Sequence, residues 1–184
     1  KHISILEFLN QIPDQIILLD SLSKRFSLCG ARIGILASLN KDVISACFKL
    51  AQSRLSAGLI DQMMASKLTK VSKSYTQKVM KEYQKRRDVI YKGLMEIEGV
   101  SLPKPEGAFY TMVSLPVKSA EDFAIFLLTK FRLNNETVML APGAGFYGTK
   151  GQGLNQVRVA YVLNIEDLKK CIKIISEALK VYIS

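Results

Sequence analysis

The 184-residue chain is 48% hydrophobic and carries a formal net charge of +10, so it is long enough to bury a core in one or two domains. No stretch approaches the ~20 continuous apolar residues of a membrane span, and we expect no membrane partner. The positive charge is spread along the sequence, which argues against a nucleic-acid interface, and we expect no nucleic-acid partner.

Two short apolar runs, residues 15–20 and 32–37, are the first predicted elements. Their isoleucine-rich sequence is typical of strands buried on both faces of a parallel sheet. A polar turn that contains serines separates them. Two helices are predicted next, at residues 40–50 and 60–68, with Asn40 as the N-cap of the first.

The strongest periodic signal extends from about Val71 to Ile97, where apolar side chains recur on one helical face and lysines on the other. Gly99 follows, as glycine often does just past the end of a helix. A helix of this length could join two domains. The lysines at helical spacing are Lys78, Lys81, Lys85 and Lys92. We interpret them as a solvated helix face.

The remaining sequence alternates short strands with helices, which predicts a small α+β domain. The predicted strands are residues 100–102, 109–113, 137–140 and 156–162, and the predicted helices are residues 120–131 and 165–182. The domain prediction is 1–70 for part of a large domain, 71–98 for a long linking helix and 99–184 for the small domain.

The histidine and cysteine content narrows the chemistry open to this chain. The single histidine, His2, lies at the start of the sequence, so histidine-based catalysis and histidine-ligated metals are disfavoured. Cys29, Cys47 and Cys171 are an odd number without C-x-x-C spacing, which argues against a disulfide framework and a zinc site. We therefore predict no metal site, and any catalysis must use lysine, arginine, tyrosine or a carboxylate.

The turn between the first two predicted strands is the most informative segment. Ser21 and Ser23 precede Lys24 by three residues and one residue, and Arg32 opens the next strand. Hydroxyls and a guanidinium are the groups that bind a phosphate dianion well. A lysine beside such a site could form a Schiff base with the aldehyde of a ligand whose phosphate is already anchored.

This segment resembles the cofactor-lysine signature of the class I and II aminotransferases of fold type I. The matching positions are Ser21, Ser23, Lys24, Gly30, Arg32 and Gly34. Three later stretches resemble the same family in the same order along the chain. They are P-E-G-A-F-Y at 105–110, A-P-G-A-G-F-Y at 141–147 and N-Q-V-R-V-A-Y at 155–161. The resemblance thus covers nearly the whole chain.

The resemblance implies an α/β fold that comprises the C-terminal part of a pyridoxal-phosphate-transferase large domain, a long linking helix and a small α+β domain. It also implies that pyridoxal 5'-phosphate is the cofactor and Lys24 the catalytic residue that holds it. Ser21, Ser23 and Arg32 would then bind the cofactor with Lys24, and Arg158 would bind the substrate α-carboxylate. A homodimer in the cytoplasm is the expected assembly and location.

The implied function of the full-length protein is amino-group transfer between an amino acid and a 2-oxo acid. Aspartate with 2-oxoglutarate is the favoured pair, on the resemblance of Arg54-Leu55-Ser56 and of the turn at 145–147. Two alternatives remain open: a β-lyase or decarboxylase of the same fold, or a non-catalytic aminotransferase-like domain of a transcription regulator. Arg54 could bind a side-chain carboxylate, although a structural salt bridge is the more common role of such an arginine.

The resemblance extends over only about half of a complete family member, so we expect this chain to be a C-terminal fragment. In the family the N-terminal half supplies the aspartate that pairs with the cofactor ring nitrogen, and we therefore expect the fragment alone to be inactive. The small domain should fold. The first 70 residues should leave apolar faces exposed and be rearranged, covered by a partner chain or poorly ordered.

Overall fold

The computed structural model describes residues 3–72 and 74–183. The chain divides into two compact units, Lys1–Gln77 and Lys78–Ser184. Its helices are α1 Leu22–Arg25, α2 Lys41–Gln52, α3 Leu59–Ser66, α4 Ser74–Met95, α5 Ala120–Thr129 and α6 Ile165–Ile183. Its strands are β1 Ile17–Ser21, β2 Gly34–Ser38, β3 Tyr110–Ser114, β4 Ala141–Pro142 and β5 Gln156–Ala160. Short 3-10 turns are Ile5–Phe8, Pro13–Gln15, Cys29–Ala31, Leu68–Lys70 and Ala144–Phe146.

In the first unit, β1 and β2 form an antiparallel hairpin in which Ile17 pairs with Ser38 and Ser21 with Gly34. The prediction of a parallel pair is therefore wrong. The reason is the course of the segment that joins β1 to β2. The Leu22 N–H donates to the Ile33 carbonyl at 3.3 Å, so this segment returns to the end of β1 at which it began. A parallel pair would need a connection that crosses to the opposite end.

The beginning of α2 is as the sequence predicts. The Asn40 side chain accepts a hydrogen bond from the Val43 N–H at 3.1 Å, which is the geometry of an N-cap. Its Nδ2 also donates to the Asp14 carbonyl at 2.9 Å and ties the start of the helix to the segment before β1. The predicted N-cap is confirmed.

Little of the first unit is buried. Ile16 and Ala31 are its buried apolar side chains among the residues that the structure describes. The predicted strand burial on both faces is wrong, since Leu19 is 72% exposed and Ile35 is 50% exposed. A sheet of two strands cannot cover both of its own faces. The expectation that apolar faces of this region would be exposed is confirmed.

The second unit is built on a three-stranded antiparallel sheet in the order β3-β5-β4. Val157 and Val159 of the central strand β5 are 0% and 7% exposed and face the core. The helices α5 and α6 contribute Phe123, Leu127 and Leu168, all at 0–1% exposure. A continuous apolar core of this kind, with Leu94 of α4 in it, supplies the main free energy of folding.

Two predicted strands are not observed. In the first, residues 100–102, only Ser101 forms a bridge, with Ser114, and the following Pro103 has no N–H to continue the pairing. In the second, residues 137–140, the Thr137 hydroxyl donates to the Leu127 carbonyl at 2.7 Å. That bond ties the segment to the end of α5, and the pairing with β5 begins only at Ala141–Pro142.

Helix α4 lies within the predicted helical region, and the lysines at helical spacing are exposed along it. The helix crosses the limit between the two units, which falls after Gln77. The division into a partial large domain, a linking helix and a small domain stays a prediction. In the described part of the chain, no helix is long and apolar enough to cross a membrane.

A matched pair of neighbouring leucines in α5 tests the core of the second unit. Leu127 is 0% exposed and Leu128 is 44% exposed. We expect Leu127→Ala to lower the free energy of unfolding by about 2–5 kcal/mol, because it leaves a cavity. Leu128→Ala should lower it by about 1 kcal/mol or less, since that side chain keeps much of its contact with water. Urea-induced unfolding of the 184-residue chain measures both, and equal losses would contradict this core.

Candidate functional site

Lys24 lies in α1, which follows the carboxyl end of β1. Ser21 is the N-cap of α1, and its Oγ accepts a hydrogen bond from the Ser23 N–H at 3.1 Å. The Asp20 carboxylate accepts from the Ser21 N–H at 2.7 Å and pairs with the Arg25 guanidinium at 2.7 Å. These contacts determine the direction in which the Lys24 turn leaves the strand.

An open pocket of about 460 Å³ lies at this end of β1. It is lined by Leu19, Asp20, Ser21, Lys24 and Arg25. Its volume falls within the range of small-molecule sites, ~300–1,000 Å³. The Lys24 amine and the Ser21 hydroxyl on its wall have the chemistry that suits a ligand with a carbonyl and an anionic group.

Ser23 and Arg32 lie elsewhere in the same connection. Neither lines the pocket, although both belong to the 22–33 segment that joins β1 to β2. Arg32 has a left-handed backbone, with φ of +51°, and its Nη1 donates to the Cys29 carbonyl at 3.2 Å. The structure thus brings Ser21 and Lys24 together and leaves Arg32 bonded within its own turn. The phosphate role of Ser23 and Arg32 stays a prediction.

Arg158 is at the middle of β5, opposite Met112 of β3 on one side and Ala141 of β4 on the other. Its guanidinium carbon lies 4.5 Å from the centroid of the Phe146 ring and 5.3 Å from that of Tyr110. Within the described residues of the second unit, 78–183, no carboxylate pairs with this guanidinium. Its forked donors are therefore available to a carboxylate from a ligand.

The turn that carries Phe146 is held against β5 by a close backbone approach. The Gly143 N–H donates to the Gln156 carbonyl at 2.6 Å. A Cβ on Gly143 would lie 2.8 Å from that same carbonyl oxygen, so only glycine fits there without a shift of the backbone. The Phe146 N–H then donates to the Gly143 carbonyl at 3.0 Å and closes the turn.

The segment that leads into β3 is held by Tyr161, which is 1% exposed. Its phenol donates to the carbonyls of Gly107 and Ala108 at 3.4 and 3.1 Å. Burial raises the pKa of the Tyr161 phenol, an effect that the nearby Arg87 charge partly offsets. The phenol therefore stays protonated and donating at neutral pH, and it stabilises Ala108 at its unusual φ of +60°.

Sequence reasoning does not identify Tyr110 and Phe146 as neighbours of Arg158, nor the Asp20–Arg25 pair beside Lys24. The sequence gives a partial signal for Tyr110. Because side chains alternate along a strand, Tyr110 and Arg158 can each be assigned to one face of their own strand. The register that pairs Tyr110 with Ala160 brings those two faces together. Alternation excludes a shift of one residue, but a shift of two residues keeps the same faces, so the pattern alone does not select this pairing.

A family model described as aminotransferase class I and II matches residues 1–176 of the chain. A probable aspartate aminotransferase of Methanocaldococcus jannaschii is 32% identical over 183 residues, which are 96% of this chain and 45% of that protein. The chain therefore spans less than half the length of this curated relative. Matches to the family model and to the relative both include the Lys24 turn and the strand of Arg158.

Solved structures show the same fold. A Methanococcus jannaschii protein described as similar in its active site to kynurenine aminotransferases has a TM-score of 0.82 at 30% identity, over 97% of this chain and 46% of its own. The α-aminoadipate aminotransferase LysN of Thermus thermophilus, complexed with N-(5'-phosphopyridoxyl)-L-leucine, has a TM-score of 0.80 at 22% identity. That match covers 98% of this chain and 46% of LysN.

The Gly143 contact generates a prediction with a control in the same loop. We expect Gly143→Ala to lower the free energy of unfolding by about 1–3 kcal/mol, because the new methyl group meets a backbone oxygen that cannot turn away. Gly148→Ala should stay within about 1 kcal/mol of the parent, since nothing lies within 4 Å of a Cβ at that position. Urea-induced unfolding of this chain compares the two, and an unaffected Gly143→Ala variant would contradict the close approach.

Proposed function

Because this chain belongs to the class I and II aminotransferases, we propose that the whole protein transfers an amino group between an amino acid and a 2-oxo acid. The observation that carries the proposal is Lys24 on the wall of the pocket at the end of β1, beside the Ser21 hydroxyl. This is the residue that the family resemblance assigns to the cofactor, and it lies where a ligand of suitable size can reach it.

The residues present fit pyridoxal 5'-phosphate. The pocket of about 460 Å³ offers an amine for the cofactor aldehyde and a hydroxyl for its phosphate. Lys24 and Ser21 would hold the group, with Ser23 and Arg32 as further phosphate ligands once the Arg32 side chain leaves the Cys29 carbonyl. When bound, the cofactor supplies an electron sink for the bonds at the substrate Cα.

The chain's own residues then have separate tasks. The Lys24 amine would act as the base that takes the proton from the substrate Cα and then as the acid that delivers it to the former aldehyde carbon of the cofactor, two bonds away. Arg158 binds the α-carboxylate through two parallel N–H donors, which orients the Cα–H bond for that transfer. The homodimer and the cytoplasmic location that the resemblance implies are part of this proposal.

Aspartate with 2-oxoglutarate is the proposed substrate pair, supported by the relative described as a probable aspartate aminotransferase. Arg54 is the candidate for the second carboxylate. It follows α2, is exposed, and pairs with no carboxylate of the described residues in its own unit. If Arg54→Ala raised the KM for aspartate and for alanine equally, Arg54 would have no part in specificity.

Product analysis separates this function from its rivals on the same fold. Incubation of the whole protein with aspartate and 2-oxoglutarate should yield oxaloacetate and glutamate in equal amounts. A β-lyase would release ammonia without an acceptor, and a decarboxylase would release carbon dioxide. A domain of a transcription regulator without catalytic activity would give no product.

Replacement of Lys24 is the most direct test. We expect Lys24→Ala to abolish turnover of the whole protein and the visible absorbance that marks the cofactor bound through a lysine, because no other amine lines the pocket in the described structure. Lys49→Ala, at an exposed position of α2, is the matched control and should retain both. Undiminished activity in the Lys24 variant would end the assignment.

Arg158→Lys tests the substrate carboxylate site. The change keeps the positive charge and removes the planar fork, so the two parallel hydrogen bonds are lost. We expect kcat/KM to fall by about 10- to 100-fold, corresponding to the ~1.5–3 kcal/mol of hydrogen bonds to a charged group. Steady-state kinetics with aspartate and with glutamate should show the same loss, because both carry the α-carboxylate.

A further inference from the structure

The face of the second unit's sheet that carries Arg158 is opposite to its core. Along β5, Val157 and Val159 are buried while Arg158 between them is half-buried. Along β3, Thr111 and Val113 are buried while Tyr110 is 44% exposed. Because side chains alternate along a strand, Arg158 and Tyr110 share the open face.

Two aromatic rings contact the Arg158 guanidinium on that face. The Phe146 centroid is 4.5 Å and the Tyr110 centroid 5.3 Å from the guanidinium carbon, both within the ~6 Å at which a cation is attracted to a ring. A ring face attracts the charge without accepting the hydrogen bonds that a carboxylate would accept. The long arginine side chain is thereby restricted while its donors stay available.

Each ring is itself held in place. The Tyr110 ring meets Phe109 edge to face, with centroids 5.6 Å apart, and Phe109 packs against the core. Phe146 closes the turn that the Gly143–Gln156 backbone contact holds against β5. Gln156 is two residues before Arg158 on the same strand. The backbone contact that holds the Phe146 turn and the Arg158 side chain therefore both belong to β5.

We propose that Phe146 and Tyr110 are positioning residues that hold the Arg158 guanidinium ready for the α-carboxylate of the substrate. The inference rests on the proposed function, since it takes Arg158 as the carboxylate site. Phe146 has the larger effect because its ring is closer to the charge. The rings act on the group that every amino acid shares, so their contribution is independent of the substrate side chain.

The test is steady-state kinetics of the whole protein with its cofactor, using aspartate, alanine and phenylalanine as three amino-group donors. Phe146→Leu removes the ring and keeps an apolar side chain at a position that is 52% exposed. We expect it to raise KM by about two- to five-fold, the range of cation–π contacts at exposed sites, by the same factor for each donor. The value of kcat should change by less than about two-fold, since ground state and transition state share this contact.

Phe146→Tyr is the matched control, because it retains the ring and should keep the parent KM. Tyr110→Leu is the second ring variant, with a smaller rise in KM. Unchanged KM in Phe146→Leu, an effect on one donor alone, or a loss confined to kcat would each overturn the positioning role and leave the proposed function standing. A parent protein that transaminates none of the three donors would instead contradict the proposed function, and the inference with it.

Discussion

Strand β5 lies between β3 and β4 and presents its side chains alternately to two environments. Val157 and Val159 enter a core where each buried apolar side chain contributes on the order of 1.5–3 kcal/mol, whereas Arg158 between them cannot be buried without a partner. A shift of one residue in the register would exchange these positions and bury the guanidinium. The free energy of the core therefore also determines where the candidate carboxylate site lies.

The two units differ in how completely they bury their own apolar side chains. The second unit closes a continuous core, with Val113, Leu127 and Val157 at 0% exposure. The first unit keeps large apolar side chains exposed, among them Leu19 and Phe48 at 72% and 63%. The first unit, which carries Lys24, thus gains less from burial than the unit that carries Arg158.

The positions of the groups around Lys24 are determined by local hydrogen bonds and one ion pair more than by burial. Asp20 holds both the Ser21 N–H and the Arg25 guanidinium, and Ser21 caps the helix on which Lys24 lies. Such an N-cap is worth about 1 kcal/mol, and an exposed ion pair contributes less. The local sequence can therefore place the lysine at the end of β1, while the position of Arg32 depends on how its longer turn is packed.

The sequence by itself determined the features that depend on neighbouring residues. Periodicity predicted helix α4, the side chain of Asn40 predicted the start of α2, and the motif around Lys24 identified the family, because spacing along the chain specifies all three. Only the tertiary structure decided the antiparallel pairing of β1 with β2 and the placement of Phe146 and Tyr110 against Arg158. These depend on strand register and on the Gly143–Gln156 contact. Residues distant in sequence meet there through backbone hydrogen bonds, and every residue except proline offers the same backbone groups, so no local pattern encodes which strands will pair.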